Sequence, residues 1–196
     1  MIALALFAAE VAPAAALPTV FGLELGAPIA LPECQRMPAR FLAPGVKPPY
    51  SSVQIAPCQQ LPGEYGPGTE TDGLVRFPPD KLPAIVGVDI METTVLNGRL
   101  EALSAATLSY NSAPGIVREL TAKFGAPTAR ETETVLVEKI AVPSIHVTWS
   151  RPGYSVDYHS VAENEIDYGD LTIETDAGRA ARVSKERARD ALRTPL

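Results

Sequence analysis

The sequence predicts an α+β fold: an antiparallel sheet of about five strands covered by one amphipathic helix, with a Pro-rich irregular N-terminal half and a C-terminal helix. Three observations carry this prediction. An Asn97-Gly98 pair stands between two β-branched-rich stretches. A single amphipathic segment follows it, within 111–128. After that come short alternating segments punctuated by turn residues, the pattern of strands joined by hairpins.

Taken in order, the chain opens with MIALALFAAEVAPAAALP. A short apolar run from Ile2 to Ala9 precedes small residues and an A-x-A site ending at Ala16, which reads as an export signal over 1–16. The run is too short to span a bilayer, so no integral membrane segment is expected here. No Lys or Arg precedes it, and Glu10 interrupts it, both departures from the usual signal.

Residues 17–83 form a Pro-rich extended segment. Between Pro32 and Pro83 there are 11 prolines in 52 residues. Each fixes φ, removes a backbone donor and biases its predecessor toward extended geometry, which excludes long helices. Short edge strands are expected at YSSVQIAPC (50–58) and GLVRF (73–77), within a segment that is either a covering layer or a binding loop. Both cysteines of the chain, Cys34 and Cys58, lie here. An oxidising compartment would join them, and their wide spacing with no nearby histidine disfavours a zinc site. The closed loop of 25 residues would contribute about 3–4 kcal/mol by restricting the unfolded chain.

An α+β core is expected over 84–176. Asn97-Gly98 supplies the two positive φ values of a type I′ turn. A two-residue loop pairs Leu96 with Arg99, hence Val95 with Leu100 and Thr93 with Ala102. In NSAPGIVRELTAKFGAPT, Asn111 or Ser112 caps a helix and Pro114 suits its first turn. Ile116, Val117, Leu120 and Phe124 make one apolar stripe, and Gly125 and Pro127 end the helix. A strand is expected from Val135 to Ala141.

The only two histidines then fall in SIHVTWSRPGYSVDYHSV (144–161), around a Pro152-Gly153 turn. Alternation puts Ile145, Val147 and Trp149 on one face, with Tyr154, Val156 and Tyr158. The pairs whose numbers sum to 305 keep both faces consistent: Trp149 with Val156, Val147 with Tyr158, Thr148 with Asp157, His146 with His159. Two imidazoles and a carboxylate, His146, His159 and Asp157, make a candidate Zn²⁺ or Cu²⁺ site or a pH-sensitive pair. The strand GDLTIET (169–175) and a basic tail over 177–196, a helix whose uncharged face is only Ala181, Ser184, Ala188 and Leu192, complete the chain.

VFGLELGAPIALPEC (20–34) and IVRELTAKFGAPT (116–128) resemble segments of small exported bacterial proteins, which pair an early GLxLG strand-turn with an L-x-x-K-[FY]-G-x-P helix end. Proteins similar to β-lactamase-inhibitor proteins use this helix-on-sheet unit. The resemblance implies an exported, noncatalytic binding protein, periplasmic or secreted, with a protein partner. Its residues specify turns and a helix stop, so no functional residue transfers.

Net charge is −6, which disfavours nucleic acid and anionic membrane as partners. Six bases against two acids make 179–193 +4, leaving −10 for the rest. There is no P-loop, dinucleotide fingerprint, H-E-x-x-H or G-x-S-x-G, so no catalytic residue and no cofactor other than the Zn or Cu above is assigned. Two alternatives stand beside the binding protein: a periplasmic metal-binding or pH-sensing protein built on the histidine pair, and a small hydrolase with an unrecognised site.

Overall fold

The computed structural model describes residues 16–38, 49–60, 70–137, 139–162 and 165–192. The expected export signal lies outside these residues except for Ala16. Ten strands are described: β1 (Thr19–Val20), β2 (Leu23–Glu24), β3 (Cys58–Gln60), β4 (Glu70–Arg76), β5 (Val86–Leu96), β6 (Arg99–Thr107), β7 (Ala129–Val137), β8 (Ile140–Arg151), β9 (Tyr154–His159) and β10 (Gly169–Thr175). Two α-helices accompany them, α1 (Ala113–Phe124) and α2 (Asp176–Leu192). Strands β1 and β2 form a small hairpin, and the other eight form one antiparallel sheet in the order β3-β4-β5-β6-β10-β9-β8-β7.

The expected sheet of about five strands under one helix is therefore corrected. The sheet has eight strands, and the two helices lie on opposite faces of it. Two of the strands come from the Pro-rich half, because Glu70–Arg76 is a proline-free window that can donate to a ladder on both sides. The expected strand at 50–58 is also corrected: only Cys58 enters β3, and Tyr50 makes an isolated bridge with Arg36. The expected strand at 135–141 straddles a chain reversal instead. Val137 pairs with Ile140, and Lys139 takes φ 73°.

One face carries the core. Across it run Val147, Tyr158, Leu171, Ala105, Met91 and Val75, each opposite the next, and beside them Trp149, Val156, Ile173 and Leu103. All are buried. Helix α1 lays Ile116, Val117, Leu120 and Phe124 onto this layer, the stripe its sequence predicts. The β1–β2 hairpin adds Val20, Leu23 and Leu25. Helix α1 stops at Gly125, and its last carbonyls are satisfied from the sheet. Arg151 donates to Phe124 O (2.6 Å from Nη2) and Ala126 O (2.6 Å), and the Trp149 indole N–H donates to Gly125 O at 2.9 Å. These bonds meet the orphan acceptors of a helix C-terminus with a cation and a buried donor.

The β5–β6 hairpin has the expected tip, with Leu96 opposite Arg99 and Val95 opposite Leu100. A bulge between Thr94 and Val95 then shifts the register by one, so Thr93 faces Leu103 and Thr94 faces Ala102, not the expected Thr93–Ala102 pair. The extra residue keeps Leu100 and Leu103 both buried although they are three apart.

Candidate functional site

The opposite face is polar, and register makes it a grid. One row reads Glu131, His146, His159, Asp170 across β7, β8, β9 and β10. The next reads Thr148, Asp157, Thr172, Ser104, Glu92, Leu74, Gln60, from β8 to β3. A third reads Ser155, Glu174, Ala102, Thr94, Asp72.

The structure brings His146 and His159 together as the sequence pairs them. Their rings stack, centroids 3.9 Å apart and planes inclined by 17°. Asp157 Oδ1 lies 3.5 Å from His146 Nε2 and accepts a 2.8 Å bond from the Thr148 hydroxyl, which is itself 3.4 Å from Nε2. Burial and the neighbouring His146 hold the His159 imidazole below its ordinary pKa, against the opposing pull of Asp157, Asp170 and Glu133.

This geometry limits the chemistry. Imidazole lone pairs lie in the ring plane, so two nearly parallel rings direct theirs side by side rather than to one point. Among the described residues no group of three or more His, Cys, Asp or Glu side chains is set to hold a metal ion. A hydrolytic triad needs the nucleophile and the carboxylate on different ring nitrogens. Here Thr148 and Asp157 both face Nε2 of His146.

Sequence reasoning missed the second feature of this face. Helix α2 crosses it and leaves a groove of about 640 Å³. The floor is Leu74, Glu92, Thr94, Ala102, Ser104 and Thr172, and the helix wall carries Gly178, Arg182 and Lys185. The wall stands on ion pairs. Glu174 is 1 % exposed and accepts two bonds from Arg182, 2.8 Å and 3.0 Å, with Arg179 at 3.4 Å. Arg182 also reaches Glu186 at 3.0 Å, and these acids push its guanidinium pKa upward. Lys185 meets Asp72 at 2.9 Å on the far side of the floor. The start of α2 sits close to the sheet. Thr175 Oγ1 accepts from Gly178 N–H at 3.1 Å and donates to the Glu101 carboxylate, and a methyl group at position 178 would collide with the Glu101 backbone carbonyl. Only glycine allows that approach.

The rim opposite α2 comes from the Pro-rich segment. Cys34 and Cys58 form a disulfide, as their placement predicts. Cys34 N–H donates to Gln59 O and Gln59 N–H to Pro32 O, so 32–34 runs along β3 and covers that edge of the sheet. Arg36 stacks 3.8 Å above the Tyr50 ring and donates to Glu33 at 2.6 Å, and the Tyr50 hydroxyl donates to Glu33 at 3.0 Å. Tyr50 is thereby fixed where it lines the groove. A signal for the groove existed in the sequence: the uncharged face of 177–192 is too small to bury a helix tightly.

No helix among the described residues is long and apolar enough to cross a membrane. No protein-family model matches the chain, no curated protein matches its sequence, and no solved structure matches its fold.

Proposed function

We propose that the chain is an exported, noncatalytic binding protein whose ligand lies in the groove between α2 and the polar face of the sheet. The observation that carries this reading is the groove itself. Its volume of about 640 Å³ falls within the roughly 300–1,000 Å³ of small-molecule sites, and its mixture of apolar surface with a few polar groups is typical of them. The disulfide supports export to an oxidising compartment, periplasmic or extracellular. The placement of Thr148 and Asp157 on one imidazole nitrogen supports a noncatalytic role.

The test is a fragment library screened by thermal shift against the wild type and Ser104→Trp. The indole fills the groove from an intermediate-exposure floor position. Fragments that raise the wild-type melting temperature through mass action and leave the folded Ser104→Trp protein unshifted support the reading. Fragments that shift both proteins equally, or none that shifts either, contradict it.

A second reading has its own observation. The stacked histidines, held between Glu131 and Asp170 in register, set two imidazoles where charging both places like charges in contact. A pH-sensing role follows from that arrangement.

A further inference from the structure

We infer that the groove takes an elongated small molecule bearing one ammonium group, seated on Glu92. This rests on the groove reading and names the chemistry of its ligand. Five charged side chains line the groove: three acids, Asp72, Glu92 and Glu174, against two bases, Arg182 and Lys185, a net of one negative charge. Four of them are already matched. Glu174 is held by Arg182, and Asp72 by Lys185. Glu92 is the exception. Its side chain is exposed to the groove, and among the described residues its carboxylate has no ion pair or hydrogen bond. The two cations on the helix wall are engaged by acids other than Glu92, so a ligand cation at Glu92 displaces no existing partner.

The surroundings of Glu92 add shape to that charge. In its own row it stands between Leu74 on β4 and Ser104 on β6, and Ser104 Oγ lies 3.4 Å from Thr172 Oγ1. Beside that row are Ala102 and Thr94. An ammonium needs acceptors and has none of its own; a carboxylate with neighbouring hydroxyls supplies them. The apolar body then has Leu74, Ala102 and the Tyr50 ring to cover. The floor extends from Thr172 on β10 to Gln60 on β3, four interstrand steps, which is roughly 19 Å at strand spacing. That length with about 640 Å³ suits a slender molecule rather than a globular one. A free amine is the occupant proposed, because the disulfide-tethered rim at Tyr50 and the helix wall bound the groove on both sides.

The probe is tryptamine, an aryl-alkylammonium, with 3-ethylindole as its neutral counterpart and indole-3-propionate as its anionic one. Binding is followed by titration calorimetry with the full chain, oxidised. Tryptamine should bind the wild type saturably, at least about tenfold more tightly than either counterpart, and Glu92→Gln should remove that preference. Glu92 is exposed, so the variant folds, which its circular dichroism checks. The inference is overturned if tryptamine does not bind, if either counterpart binds as well, or if Glu92→Gln binds tryptamine unchanged. A counterpart that binds better, and is lost in Ser104→Trp, overturns the amine and leaves the groove standing.

Discussion

Trp149 has no exposed surface, and its indole N–H closes the C-terminus of α1 through Gly125 O. Truncation to Ala removes a large core aromatic and leaves a buried carbonyl without its donor. A loss of about 3–5 kcal/mol is expected in denaturant unfolding, at the upper end because both terms act. His159 acts in the opposite regime. Its pKa is lowered from 6.5 by burial and by His146, so the unfolded chain binds the proton more tightly than the folded one. Stability from this group is complete above pH 6.5 and is lost as pH falls through the lowered folded value. Facing it are His146 on β8, Asp157 on β9, Asp170 on β10, and Glu131 and Glu133 on β7. The urea midpoint of the wild type should fall more steeply between about pH 7 and about pH 5 than that of His159→Asn. Equal slopes would refute the assignment. Both residues were legible in the sequence, because Pro152-Gly153 and strict alternation on two flanking strands leave one register that buries Trp149, Val147, Val156 and Tyr158 together.

At the level of elements, α2 is held by charge rather than by an apolar stripe. Glu174 is buried and Arg182 covers it with two bonds while remaining half exposed. Arg182→Leu leaves the carboxylate buried beside Arg179 alone. A loss of about 3 kcal/mol is expected, and the double variant with Glu174→Leu should recover most of it, because removing both charges removes the desolvation cost. A double variant as unstable as the single would show that α2 is docked by something else. This attachment was not legible. Ionic partners eight residues apart on a strand and a helix leave no periodic signal, and the weak uncharged face of 177–192 suggests a frayed tail instead. Strand β7 was missed for a related reason. Ala129–Val137 is an edge strand with most of its side chains exposed, so its Thr and Glu residues show no apolar alternation, and the sequence between it and β8 lacks the Gly, Asn or Pro that marks the other hairpins. The tip of the β5–β6 hairpin was legible from Asn97-Gly98, whose φ values are 51° and 76°; the bulge behind it had no signal.

For the whole molecule, the Pro-rich half is part of the sheet and of the groove. The strand expected at 73–77 overlaps β4, which lies in a gap between prolines, whereas β3 was concealed, sharing only Cys58 with the strand expected at 50–58. The disulfide ties residues 34 and 58 across that half. Under denaturing but nonreducing conditions both thiols should resist alkylation, and reduction should lower stability by about 3 kcal/mol. Free thiols in protein recovered from its native compartment would remove the support for export. The rim at Tyr50 should loosen on reduction, and ligand affinity should fall with it.

The central claim is that a ligand occupies the groove between α2 and the polar face. Backbone amide chemical-shift mapping during titration with tryptamine tests it most directly. The account predicts saturable shifts clustered at Leu74, Glu92, Ser104, Thr172 and Gly178, residues far apart in sequence that meet only at the groove. Shifts confined to α1, the β1–β2 hairpin or the histidine pair, or no saturable shift at all, would contradict it.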